Sequence, residues 1–175
     1  MSDNGTEKRL SFNTDALIQI TTEEMQTFFQ ANREGDLATL AKTIARIAAT
    51  CPPEWGEVND PDTYLNRPWF GKGMYSGKWI VEQFTETLNS LKTDIGDKLT
   101  FELSEITGKQ MAEFFRGMRE MRLAELANTY AVVVTNCPKA WGKPDDSQTY
   151  LNRPFVEFKS VGQAFSEAVN EDQKK

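Results

Sequence analysis

The sequence contains no histidine. That absence removes the commonest general base, the commonest metal ligand and the usual charge switch near neutral pH, so most hydrolytic triads and zinc sites are excluded. Cysteine is nearly as scarce. Cys51 and Cys137 are the only two, too few for a disulfide-stapled secreted scaffold, and two thiols without histidine make a poor zinc site. The longest strongly apolar run, Ala131 to Val134, falls far short of the ~20 residues that a membrane-spanning helix needs. The opening MSDNGTEKR has no apolar signal-peptide core, so a cytoplasmic location is expected. Basic residues are outnumbered, 20 Lys and Arg against 26 Asp and Glu for a net charge of −6. Such a balance argues against a nucleic-acid binder that works by neutralising phosphates.

Recognisable catalytic signatures are missing as well. There is no GxxxxGK phosphate loop, no GxGxxG after a strand and no GxSxG. Carboxylates crowd one loop, at Glu54, Glu57, Asp60 and Asp62, without the ligand spacing of a calcium loop. Nothing fixes two acids at the separation that a paired-carboxylate hydrolase uses. These residues read as solvated loop acids, and the expectation is no catalytic residue, no cofactor and no metal.

What the sequence does have is a repetition. TYLNRP occurs at Thr63 to Pro68 and again at Thr149 to Pro154, 86 residues on. Sliding the chain by that distance aligns 20–83 with 106–169 without a gap, and 24 of the 64 pairs are identical. A match of this length reads as one unit written twice.

Each copy opens on a capping box, Thr21 with Glu24 and Thr107 with Gln110. Apolar residues at helical spacing follow, Met25, Phe28 and Phe29 matched by Met111, Phe114 and Phe115. In the first copy Gly35 ends that helix and Asp36 caps the next, which buries Leu37, Leu40, Ala41, Ile44, Ala45 and Ala48. The second copy has Met121 and Arg122 there, and a tighter or partly fused turn is expected. Its next helix holds Tyr130 to Thr135, a run with strand propensity; the alignment favours helix, which is the reading adopted.

Both copies then enter a loop rich in Pro, Gly, Asp and Asn. Asp60 before Pro61 reads as an N-cap with proline at the first helical position of a short turn. A third helix is expected from Phe70 to Leu91, with its counterpart from Val156 to Val169. Leu99, Phe101 and Leu103 alternate with polar residues as a short strand does, and Ala16 to Ile20 is its expected mate. The expected fold is mainly α: two tandem homologous three-helix units, over 10–95 and 96–169, with a small two-stranded β element between them. Residues 1–9 and 170–175 read as disordered tails.

Trp55, Tyr64, Asn66 and Arg67 fall in one loop, and Trp141, Tyr150, Asn152 and Arg153 in the other. An aromatic, an amide and a guanidinium together suit a partner-binding surface. Equally, Trp and Tyr could staple the loop to the helices, Asn could cap the third helix and Arg could bond loop carbonyls. Met118 and Met121 are candidates for lining a groove, because methionine adapts to varied apolar partners. Cys51 and Cys137 read as small buried hydrophobes at a helix end.

The order of features, with Gly35, Asp36 and Leu37 in the turn, then Trp55, Gly56, Asp60, Pro61, Thr63, Tyr64 and Leu65, resembles small acidic helical proteins encoded among bacteriophage tail genes, taken to be tail assembly chaperones. The resemblance implies a protein that coats an aggregation-prone partner, such as a tail's tape-measure protein, in the host cytoplasm and is absent from the finished particle. It brings no catalytic residues. The functional expectation is a non-catalytic protein-binding or assembly factor with a protein partner. Two alternatives stay open: a small-ligand or cation-binding module at the interface between the repeats, and an acidic inhibitor that mimics nucleic acid.

Overall fold

A computed structural model of the chain describes residues 9–70 and 76–175. Among these residues the protein is mainly helical, with nine α-helices and two small two-stranded antiparallel sheets. In chain order the elements are β1 (Ser11–Phe12), α1 (Thr14–Gln19), α2 (Thr22–Glu34), α3 (Leu37–Ile47), β2 (Ala48–Thr50), α4 (Pro61–Leu65) and α5 (Gly77–Ser90). There follow β3 (Thr100–Phe101), α6 (Gly108–Glu120), α7 (Leu123–Val133), β4 (Val134–Asn136), α8 (Ser147–Leu151) and α9 (Phe155–Asp172). Single 3-10 turns lie at Pro53–Trp55, Gly96–Lys98 and Lys139–Trp141.

The chain divides into two compact units. Among the described residues, one comprises those within Met1–Leu17 and Ala31–Ser90, the other Ile18–Gln30 and Leu91–Lys175. The segment 18–30, which by sequence opens the first copy, is thus counted with the second unit and carries most of α2 with it.

Local signals explain where the helices start. Thr21 N–H donates to Glu24 Oε2 at 2.8 Å while Glu24 N–H donates to Thr21 Oγ1 at 3.2 Å. Thr107 and Gln110 make the same reciprocal pair at 2.8 and 3.2 Å. Asp36 caps α3 by accepting from Thr39 N–H at 3.1 Å. The turns that end α2 and α6 are alike, against the expected difference. Gly35 has φ +73° and Met121 φ +51°, both left-handed, and the next N–H closes on the carbonyl five residues back, Asp36 on Ala31 and Arg122 on Gly117, each at 2.9 Å.

In the first unit α3 packs on α4, with Leu40, Ile44 and Ile47 buried. Phe12 meets Phe84 of α5 edge to face, ring centres 5.8 Å apart. In the second unit α6 packs on α7 and α7 on α8. Tyr130 there lies among Phe114, Tyr150, Phe158 and Phe165.

The single β element expected between the units is replaced by one ribbon in each. Ser11 pairs with Thr50 and Phe12 with Ala48; Thr100 pairs with Asn136 and Phe101 with Val134. The end of α3 runs directly into β2 and that of α7 into β4, so each short strand finds its mate locally. Ala16 to Gln19, the expected mate of Phe101, is helical instead, with Asn13 Oδ1 accepting from Ala16 N–H at 3.1 Å. The adopted helix over Tyr130 to Thr135 holds to Val133, and the strand propensity asserts itself from Val134.

The third helices also depart from the ungapped alignment. α9 starts at Phe155, directly after the motif, whereas α5 starts at Gly77; Gly71 and Gly73, expected inside that helix, lie outside the described residues. Phe84 packs on the β1 aromatic as Phe165 packs on that of β3, which sets these helices 81 rather than 86 residues apart. The first unit thus carries five more residues between the motif and this packing position. α9 continues through Asp172, into residues expected to form a tail.

Candidate functional site

The two TYLNRP loops are built alike, atom by atom. A buried cysteine begins each, Cys51 Sγ donating to Gly56 O at 3.6 Å and Cys137 Sγ to Gly142 O at 3.7 Å. Burial pushes the Cys137 thiol above its ordinary pKa, which leaves it inert rather than nucleophilic. After the 3-10 turn, Gly56 (φ +124°) and Gly142 (φ +119°) reverse the chain. The motif's threonine and tyrosine then tie down the carbonyls that follow. Thr63 Oγ1 donates to Glu57 O and Thr149 Oγ1 to Lys143 O, each at 2.7 Å. Tyr64 and Tyr150 hydroxyls donate to Val58 O and Pro144 O, each at 2.6 Å. Asp60 and Asp146 cap α4 and α8 by accepting from Asp62 N–H at 3.0 Å and Gln148 N–H at 2.9 Å.

The arginine of each motif lies over the tryptophan of its own loop. Arg67 Cζ is 4.7 Å from the Trp55 ring centre and Arg153 Cζ 5.3 Å from that of Trp141, a stacked arrangement that holds the loop's two ends together. There the copies differ. Arg153 Nε donates to Glu157 Oε2 at 2.7 Å, while Arg67 Nε is buried and has no hydrogen-bond partner among the described residues.

Tyr64 and Tyr150, offered by sequence as partner contacts, are buried and engaged with their own loops. Trp55, Trp141, Arg67 and Arg153 are half-buried and paired with one another within each loop. Asn66 and Asn152 are exposed, but sit at the C-terminal ends of α4 and α8 rather than capping the third helix. Asn152 Oδ1 accepts from Gln148 Nε2 at 2.9 Å. Met121 serves the left-handed turn. Met118 faces solvent.

The glycine before each motif meets two demands at once, and alanine satisfies neither. Gly56 and Gly142 hold a backbone region essentially restricted to glycine, and a Cβ there would stand 2.8 Å from Thr63 Oγ1 or 3.0 Å from Thr149 Oγ1. Gly56→Ala and Gly142→Ala are each expected to lose about 1–3 kcal/mol in urea unfolding. Gly96→Ala, whose Cβ would meet only Ala164 at 3.5 Å, should stay within about 0.5 kcal/mol. Equal losses at all three positions would remove this account of the loop.

Phe115, expected from its spacing to lie on the buried apolar stripe of α6, is not in the core. It matches Phe29 by letter, yet Phe29 is 8% exposed and Phe115 is 53% exposed. A signal was present in two other pairs: Thr22 and Gln26, which make hydrogen bonds from α2, are replaced in α6 by Gly108 and Ala112. Phe115 and Met118, the latter 52% exposed, stand one turn apart on α6 among Arg116 and Arg119.

Comparison with protein-family models, curated proteins and solved structures found no match to this chain. Among the described residues no helix is long and apolar enough to cross a membrane, and no three Cys, Asp or Glu side chains gather as a metal site.

Proposed function

We propose that this chain is a non-catalytic protein-binding factor that takes an apolar segment of its partner onto the exposed face of α6. The observation that carries this reading is the pair Phe115 and Met118, two large apolar side chains about half exposed on one helix face. Side chains of this kind, gathered rather than scattered, mark an interaction surface, and methionine accommodates varied partners. The flanking charge is organised, since Arg116 is held by a bidentate contact to Glu125 at 2.8 and 3.2 Å. The duplicated loops serve as scaffold. In its most specific form the reading is an assembly chaperone of the phage-tail kind, holding an aggregation-prone structural protein in the cytoplasm until assembly; the resemblance of the turn and loop residues supports that form.

The test is co-expression with the neighbouring genes, followed by affinity isolation with two baits, the wild-type chain and Phe115→Asp/Met118→Asp. The wild type should retain a defined protein and the double variant should retain it at least about 30-fold less well, the effect of losing a hot spot of about 2 kcal/mol. Equal retention by both baits, or none by the wild type, would refute the reading.

A further inference from the structure

The second unit contains one contact whose two halves both occur again elsewhere in the sequence. The start of α2 lies along Arg153 to Phe155. Thr22 N–H and Thr22 Oγ1 both donate to Arg153 O at 2.9 Å, and Phe155 N–H donates to Ile20 O at 2.8 Å. Thr21 and Pro154 form an isolated β-bridge. One helical turn further on, Gln26 Oε1 accepts from Ala124 N–H at 3.0 Å. Phe29 meets Phe155 edge to face at 6.0 Å. Two backbone hydrogen bonds set the register of this contact, and an aromatic pair covers it.

The repeat supplies both halves a second time. α6 is the counterpart of α2, and Arg67 to Trp69 is the counterpart of Arg153 to Phe155. Each recurs uncovered. Ile20, Thr22 and Met25 are fully buried, while Ile106 and Met111 are partly open and Gly108 is exposed. On the other side Phe155 and Val156 are buried, while Trp69 is half-open and Phe70 is 79% exposed. The backbone groups that would make the counterpart bonds are the Gly108 and Trp69 N–H and the Arg67 and Ile106 carbonyls. Among the described residues none of them has a partner.

We propose that a second copy of this chain fills both positions, so that α6 of one molecule docks on Arg67 to Phe70 of another as α2 docks on Arg153 to Val156 within each. Gly108 N–H then donates to Arg67 O, Trp69 N–H donates to Ile106 O, and Phe115 covers Trp69. The proposal rests on the reading of α6 as the binding face and names its occupant. Gly108 lacks the hydroxyl of Thr22 and Ala112 lacks the amide of Gln26, so the contact between molecules has fewer hydrogen bonds than the contact within one and is reversible. Each chain carries one of each surface. Such a contact closes into a ring of two or more chains, or extends as an open filament, according to the rotation between successive chains.

Sedimentation of the purified chain, over a range reaching about 1 mM, where weak association becomes visible, should show a mass that rises above the monomer. Phe115→Asp should remain a monomer throughout with an unchanged circular dichroism spectrum, since the side chain faces solvent. Phe115→Cys mixed with Trp69→Cys should form a disulfide-linked pair on oxidation, in at least about tenfold excess over either variant alone. A chain that stays monomeric, or an oligomer that Phe115→Asp leaves intact, would overturn the proposal. A monomer that still retains its co-expressed partner through α6 would overturn this inference and leave the protein-binding reading standing. An oligomer sensitive to Phe115→Asp with no co-expressed partner would support the inference alone.

Discussion

Replacing Tyr130 by alanine is expected to lower stability by about 3–5 kcal/mol, the cost of truncating a large buried aromatic. Tyr130 is 1% exposed and is ringed by aromatics, with centres at 5.2 Å to Phe158, 5.8 Å to Tyr150 and 6.2 Å to both Phe114 and Phe165. The packing extends to its hydroxyl, because a Cβ at Gly162 would stand 2.8 Å from that oxygen. No small side chain can refill the space, since the surrounding rings come from three separate helices, α6, α8 and α9. Differential scanning calorimetry should show Tm lower by about 6–20 °C, with loss of near-ultraviolet circular dichroism. A loss below about 1 kcal/mol would mean that Tyr130 does not organise the second unit.

Alkaline pH should unfold the protein through the same residues. Burial pushes the phenols of Tyr64, Tyr130 and Tyr150 well above their ordinary value near 10. In the unfolded chain they release their protons near pH 10, while the folded chain retains them. Stability is therefore fully present below pH 10 and falls as pH rises beyond it. Each tyrosine removes about 1.4 kcal/mol per pH unit, and the three together about 4. In a pH titration, tyrosinate absorbance from these residues should appear together with the loss of helical circular dichroism. Ionisation of all three near pH 10 with the helices intact would contradict the burial assigned to them.

How far the fold was legible in the sequence depended on whether the signals were local. The capping boxes at Thr21 and Thr107, the Asp36 cap and the Asp60 turn are set by residues within three positions of one another, and each forms as the residue types dictate. The strand partners were not legible. Phe101 alternates with polar neighbours, but nothing local says that Val134 rather than Ile20 lies opposite. The five extra residues after Pro68 were hidden for a similar reason: identity between the copies stops there, and only the packing of Phe84 and Phe165 restores the register. Met121 was misread because a left-handed turn is usually assigned from glycine, and here the packing of α6 on α7 holds methionine in it. The site was the hardest part. TYLNRP looked like a binding motif because it is repeated, yet Thr63 and Tyr64 spend their hydroxyls on Glu57 and Val58. Phe115, identical to its buried counterpart Phe29, could be told apart only by what its neighbours have lost.

Binding is assigned to α6, and the repeated loops are scaffold apart from the open edge of the first one at Arg67 to Phe70. Hydrogen exchange of the complex recovered by co-expression, compared peptide by peptide with the free chain, tests it most directly. New protection is expected over 106–119, with amides of 137–154 exchanging as in the free chain. Protection centred on Trp55, Asn66, Trp141 and Asn152, with α6 unchanged, would contradict it.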